Sequence, residues 1–252
     1  MSPDPVLPNS ALLALGVTKS YGKFPVLAGI GLNIAAGTGF GLVGANGAGK
    51  TTLIKCMLDF CSIDAGSIRI FGVPHTSTGA RSRLAFVPER FVLPHYLTCR
   101  EFFKLTFSLT GTRFLSSRVE GLLDELALDR STLDRPVRQL SKGMTQKLGL
   151  AACFLVERDI YVLDEPMSGL DPASRVAVKS VLARLTREGR TLFFTSHVLT
   201  DVEELCSSIA ILDHGAIRFD GSPSGLCERY GEPNLESAFI RCIHGRETTS
   251  AD

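Results

Sequence analysis

The chain lacks any apolar run of membrane-spanning length. The longest, Leu148 to Val156 counting Gly149, is about half of the roughly 20 residues a spanning helix needs. It is therefore expected not to cross a bilayer itself. Its seven cysteines, at 56, 61, 99, 153, 206, 227 and 242, include no C-x-x-C pair, so they read as reduced, mostly buried small hydrophobes rather than as metal or redox centres. Charge of one sign is not in excess either: 27 basic against 26 acidic residues leave +1, which gives no global attraction to nucleic acid or anionic lipid. Met1 to Ser10 has no basic n-region; with Pro3, Pro5, Pro8 and Asp4 it reads as a loose tail rather than a signal peptide, so a cytosolic protein is expected. There is no internal repeat, and no low-complexity segment beyond those prolines. His75, His95, His214 and His244 have no acid or cysteine constellation around them and read as surface or turn residues.

What is present is ample core material, 44% hydrophobic over 252 residues, enough for one large domain or two small ones. Alternating apolar patterns predict strands at Leu12 to Val17 and Gly31 to Ala35, and a continuously apolar stretch predicts a buried strand at Phe40 to Val43. Further strands are expected at Ser67 to Phe71 and Leu84 to Val87. From Thr98 the period becomes helical, with Thr98-x-x-Glu101 and Ser117-x-x-Glu120 spelling capping boxes for segments reaching about Leu109 and Leu126. Residues 92 to 140 thus form a helical insertion. Beyond it the pattern predicts a helix from Ser141 to Val156, a strand Ile160 to Leu163, a helix Ala173 to Glu188, a strand Thr191 to Thr195 and a helix through Leu205. Strands near Ile209 to Leu212 and Ala216 to Phe219 and short terminal helices complete the order. Strands alternating with helices imply an α/β fold with a parallel sheet covered on both faces.

Chemistry concentrates in a few places. Gly44-Ala45-Asn46-Gly47-Ala48-Gly49-Lys50-Thr51-Thr52 fits G-x-x-x-x-G-K-[ST] between the Phe40 to Val43 strand and a helical pattern from Leu53 to Leu58. Its glycines let successive backbone N–H groups curl around a polyphosphate at a helix N-terminus, with Lys50 reaching the outer phosphates and Thr51 a Mg²⁺. The rival dinucleotide pattern, Gly39-x-Gly41-x-x-Gly44, lies across the strand rather than after it and is rejected. Ile160 to Leu163 runs into Asp164-Glu165; neighbours on a strand point to opposite sides, so the two carboxylates cannot share one task. Asp164 is placed for the metal shell and Glu165 to orient a water attacking the γ-phosphate. Leu140-Ser141-Lys142-Gly143-Met144 stands at a helix start, where Ser141 alone would read as an N-cap. Ser168-Gly169-Leu170-Asp171 and Thr195-Ser196-His197 follow.

In order and spacing these pieces resemble the ATP-binding cassette family, the nucleotide-binding subunits of ABC transporters, from about Ala11 to Leu226. The resemblance makes Gly44 to Thr52 the Walker A loop and Ile160 to Glu165 the Walker B strand with the catalytic glutamate. It makes Leu140 to Met144 the signature, with Ser141 and Gly143 contacting ATP, and Ser168 to Asp171 the D-loop. His197 becomes the γ-phosphate switch and Tyr21 the aromatic that stacks on adenine, where a core tyrosine is the alternative. It implies a P-loop NTPase (RecA-like) core with a mainly parallel sheet, an antiparallel β subdomain and an inserted helical subdomain. The expected division is a tail 1–10, a nucleotide-binding domain 11–226 and a C-terminal helical tail 227–252. The signature reads L-S-K-G-M instead of L-S-G-G-Q, and Glu89 in Pro88-Glu89-Arg90 replaces the usual glutamine while keeping an oxygen for the metal. Both variants resemble cassettes of ABC-2 exporters. The implied cofactors are ATP and Mg²⁺. The implied partners are a second ABC subunit and transmembrane permease subunits, with no nucleic acid, at the cytoplasmic face of a membrane. Permease contact is expected at the Glu89 loop and around Phe91, Leu93, Pro94 and Tyr96, which could instead be insertion core. A non-transport ABC ATPase acting on DNA or ribosomes is the alternative, and a P-loop kinase or GTPase would leave the signature, D-loop and His197 unexplained.

Overall fold

Two sheets divide the strands in this computed structural model, which describes residues 9–245; Pro3, Pro5 and Pro8 lie outside the described residues. The first strands, β1 (Ser10–Tyr21) and β2 (Phe24–Ala35), are twice the expected length and pair antiparallel. After them come β3 (Gly39–Val43), α1 (Lys50–Met57), β4 (Ala65–Ile70), β5 (Val73–Pro74), the single turn α2 (Thr78–Arg81) and β6 (Leu84–Val87). The helical block holds α3 (Cys99–Thr110) and α4 (Ser116–Glu125), and two 3₁₀ turns lead to α5 (Lys142–Leu155). Then follow β7 (Ile160–Asp164), α6 (Pro172–Arg187), β8 (Thr191–Ser196), α7 (Leu199–Leu205), β9 (Ser208–Asp213), β10 (Ala216–Gly221), α8 (Pro223–Tyr230) and α9 (Leu235–His244).

The smaller sheet, ordered β2-β1-β4-β5, is antiparallel throughout, and the larger runs β10-β9-β3-β8-β7-β6, parallel except for β10. Side-chain alternation on the larger sheet splits its core in two. Phe40, Leu42, Ile160, Val162 and Phe193 face α1 and the antiparallel sheet, with Phe40 and Phe193 stacked at 5.9 Å. Tyr161, Leu163, Leu192 and Phe194 face the other core, with α3 to α7. One face of the parallel sheet is therefore roofed largely by a second sheet rather than by helices.

Gly39 and Gly41 have a steric task that accounts for the rejected dinucleotide pattern. A Cβ on Gly39 would stand 2.2 Å from Leu205 O, and one on Gly41 would stand 2.6 Å from Val202 Cγ1, so bare backbone lets α7 pack directly onto β3.

The Thr98–Glu101 capping box forms, and α3 ends on left-handed Gly111. The second expected box does not. Leu115 occupies the N-cap of α4 without a side-chain bond, and Glu120 Oε1 instead accepts from Ser116 Oγ at 2.6 Å. Phe91, Phe102, Phe103, Phe107 and Phe114 form a chain of ring contacts through this block, and Gly149 leaves room on α5 for the Phe91 ring. His75 sits in a turn, as one of its two expected placements, and is buried there, its Nδ1 3.1 Å from Ile68 O. All seven cysteines are free thiols and five are buried. At the C-terminus, α8 runs across position 226, and Leu235, Ala238 and Cys242 of α9 are buried in the helix-side core.

Gly39→Ala should lower stability by about 1–3 kcal/mol, since its Cβ meets backbone that cannot rotate away. Gly121→Ala, inside α4 with open space at its Cβ, should raise stability by about 0.5–1 kcal/mol. Urea unfolding of both variants checks the pair; a neutral Gly39→Ala would mean that α7 does not lie on β3.

Candidate functional site

The parallel register brings the candidate residues to one edge. β3 pairs with β8 at Val43–Ser196 and β7 pairs with β8 at Asp164–Thr195, so the chain leaving β3 emerges beside the last residues of both neighbours. Open α/β sheets bind ligands at these carboxyl ends. Here Gly44 to Thr52 wraps into α1. Gly47 and Gly49 hold φ of 83° and 113°, values that side-chain-bearing residues rarely adopt, and a Cβ on Gly44 would stand 2.2 Å from Leu212 O. The first turn of α1 leaves its amides without intrahelical acceptors, aimed into a cavity of about 580 Å³. Ala45, Asn46 and Gly47 are exposed along its rim, while Ala48 is buried beneath the loop.

Lys50 is buried and donates from Nζ to Gly44 O at 2.6 Å and Ala45 O at 3.1 Å, which leaves one of its three protons for the cavity. Burial lowers its pKa, and Glu165, Asp164 and Glu89 oppose that by favouring the cation. Asp164 is 3% exposed. Its Oδ2 accepts from Thr51 Oγ1 at 3.0 Å and its Oδ1 from Thr195 Oγ1 at 2.6 Å. The Thr195 hydroxyl also accepts from the Glu165 backbone N–H at 2.9 Å, so one side chain ties both carboxylate positions to β8. Glu165 does diverge from Asp164, but not by strand alternation: it has left the strand, with φ of 50°, a strained conformation outside glycine. Its Oε2 lies 2.8 Å from His197 Nδ1, at the mouth of the cavity. Glu89 lines the same cavity.

Thr51, Asp164 and Glu89 are all hard oxygen donors. No group of three or more His, Cys, Asp or Glu side chains among the described residues is arranged to hold a metal alone. One hydroxyl with one or two carboxylates fits Mg²⁺ shared with phosphates.

Other expected site residues lie elsewhere. Tyr21 ends β1 half exposed, its hydroxyl 3.8 Å from Cys61 Sγ and its ring 5.6 Å from Lys19 Nζ, so it is a surface aromatic and not a core tyrosine. Ser141 caps α5, accepting from Met144 N–H at 3.3 Å, and Gly143 packs near Gly169 O; neither lines the phosphate-loop cavity. Asp171 caps α6, and its bonds from Ser174 hold its carboxyl below the usual range. Two residues escaped the sequence reading, Val26 in the cavity wall and Thr195 beneath both acids. Val26 sits on a different sheet, and Thr195 is one more β-branched residue in a buried strand, so neither carries a local signal.

The ABC transporter family profile matches residues 27–168. Nod factor export ATP-binding protein I of Paraburkholderia xenovorans (strain LB400) is 35% identical over 225 residues, covering 87% of this chain and 73% of that protein. An uncharacterized ABC transporter ATP-binding protein of Synechocystis sp. is 36% identical, over 79% of this chain but only 57% of its own length, so this chain spans a little over half of that relative. A solved ATP-binding subunit of an ABC transporter superposes with a TM-score of 0.86 at 28% identity, covering 92% of this chain and 99% of that one.

Thr195→Val keeps the shape but strips a buried carboxylate of one donor and the Glu165 amide of its acceptor. It should cost about 1–3 kcal/mol in chemical unfolding, with Thr195→Ser recovering most of the loss. Equal stability of the valine variant and the parent would show that these bonds hold nothing.

Proposed function

The chain belongs to the ABC transporter ATP-binding family, and on that premise we propose that it is the ATPase subunit of a multi-subunit transporter, hydrolysing ATP to drive separate membrane subunits. One observation carries the reading: Lys50, Thr51, Asp164, Glu165 and His197 line one cavity at the carboxyl edge of the parallel sheet. The amides from Gly44 to Thr52 cradle the phosphates, Lys50 pairs with the outer ones, and Tyr21 offers its half-exposed ring to adenine, as any purine would accept. Thr51, Asp164 and Glu89 hold Mg²⁺, which when bound neutralises charge on the transferred phosphoryl group. Glu165 accepts the proton of the attacking water; its carboxylate is aimed by the 2.8 Å contact with His197, which also faces the γ-phosphate position.

The position of Ser141 and Gly143 outside this cavity supports pairing of two cassettes, each signature completing the other's nucleotide site. A homodimer or heterodimer satisfies this equally. The nucleotide-binding domain takes in residues from 11 on, with its helical part at about 92–140, and because α8 crosses position 226 and α9 packs into the helix-side core, the described part of the expected 227–252 tail belongs with that domain. Permease contact falls on the exposed members of the expected patch. Of those residues Tyr96 is open to solvent, as is the neighbouring Val92, whereas Leu93 is buried and Phe91 packs on Gly149, so the latter two support the patch from beneath. No helix among the described residues is long and apolar enough to cross a membrane, in keeping with a subunit held at the cytoplasmic face by its partners. The balanced charge gives no support to a nucleic-acid partner.

Glu165→Gln should leave ATP binding intact and slow hydrolysis by about 10²–10⁴-fold, the contribution of a positioned base. It should also accumulate as an ATP-bound dimer in gel filtration; near-normal turnover would remove Glu165 from the mechanism. Lys50→Ala should fail earlier. Saturating the parent to about 100 times its dissociation constant should stabilise it by about 2.7 kcal/mol, and the variant should show little of that rise in thermal unfolding.

A further inference from the structure

The turn after α1 places two thiols together. Cys56, in the last turn of the helix, and Cys61, just past its end, have sulfurs 3.5 Å apart. Cys61 is partly exposed, and Cys56 is fully buried. The chain between them is a turn with Asp59 in the left-handed region, and both Phe60 and Cys61 donate N–H bonds to Lys55 O. The pair adjoins the proposed base platform, since Tyr21 O–H donates to Cys61 Sγ at 3.8 Å and Lys19 reaches the same sulfurs electrostatically. No other cysteine pair among the described residues has a sulfur–sulfur contact of this kind.

We propose that Cys56 and Cys61 are a peroxide-oxidisable dithiol whose disulfide weakens ATP binding by moving Cys61 away from Tyr21. The nucleotide part of this inference rests on the ATP site proposed above; the sulfur chemistry does not. Cys61 is the attacking thiol because it is the one that a hydroperoxide can reach. Cys56, buried and with its thiol pushed up to about 12 by that burial, is not the one that meets peroxide; its place in the link comes from its sulfur lying against Cys61 Sγ. With hydrogen peroxide, Cys61 Sγ attacks one oxygen, the O–O bond breaks and one water leaves, giving the sulfenic acid. Cys56 Sγ then displaces the hydroxyl, an S–S bond forms and a second water leaves. Two thiols lose two electrons and two protons, and the peroxide is reduced to two waters. The sulfurs must close from 3.5 Å to about 2.05 Å, which rotation of Cys61 in its turn can supply. That motion takes the sulfur off the Tyr21 hydroxyl and ties the turn after α1 to the last turn of that helix, which begins at Lys50.

The test uses the full chain, reduced and then treated with hydrogen peroxide. Intact mass should fall by about two units, the two hydrogens lost in forming an S–S bond, and a thiol reductant should restore it. Proteolysis at Asp59 or Phe60 should release two fragments that stay joined only in the oxidised protein. Cys61→Ser and Cys56→Ala should show no such link. Bound-ATP titrations should then give a dissociation constant raised about five- to hundredfold on oxidation, the scale of one lost base stack, reversed by reductant and absent in Cys61→Ser. Oxygen added to Cys61 without a link, or a link only between chains, overturns the dithiol assignment. A formed disulfide with unchanged ATP affinity overturns its coupling to the nucleotide. Failure of the reduced parent to bind ATP would count against the proposed ATP site and leave the mass result standing.

Discussion

The site depends on β3 being able to lie parallel between β8 and β9 with α7 pressed onto its backbone. Gly39 and Gly41 make that approach possible, and the pairings Val43–Ser196 and Asp164–Thr195 follow from the register it fixes. A slip of one residue in either ladder would move Asp164 away from Thr51 and turn every core side chain on that strand to the other face. The phosphate loop itself is local structure. Its proximity to two acids more than 110 positions away along the chain is a property of the sheet.

Burying charge at this edge is tolerated because each charge has partners. Asp164 accepts from two threonine hydroxyls, and Lys50 donates to two loop carbonyls while three carboxylates offset its desolvation. Among the described residues no buried side-chain nitrogen or oxygen lacks a hydrogen-bond partner. Beside the acids, Glu165 is in a left-handed backbone that turns its carboxylate out of the strand and toward His197. Thr195 holds that turn from below through the Glu165 amide.

Helix α5, the signature helix in the reading proposed above, is wired to the same edge although Ser141 and Gly143 lie outside the cavity. Gln146 Nε2 donates to Pro166 O at 3.1 Å, just beyond the acid pair, and the Lys142 side chain passes over Gly169 in the neighbouring loop. Lys142 therefore has a structural consequence that glycine in the common signature would lack. These contacts join α5 to the loop that follows Asp164 and Glu165.

The sequence by itself determined the elements whose cause is local: the glycine-rich loop, the Thr98 cap, the N-cap at Ser141, and the apolar runs of β3, β7 and β8. Short-range spacing also singled out Lys50, Thr51, Asp164 and His197, which the structure brings to one cavity. It did not reveal that β1 and β2 run long and leave the parallel sheet, because alternation marks a half-buried strand without naming its partner. It misplaced the cap of α4, where Ser116 took Glu120 first, and it did not show that the turn holding His75 is buried. Only the tertiary structure decided which threonine supports both acids, which wall Val26 supplies, that Glu165 turns by backbone rather than by alternation, and that Cys56 and Cys61 face each other beside Tyr21. Each of these rests on contacts across sheets or around a turn, set by burial and register, to which a periodic pattern along one segment is blind.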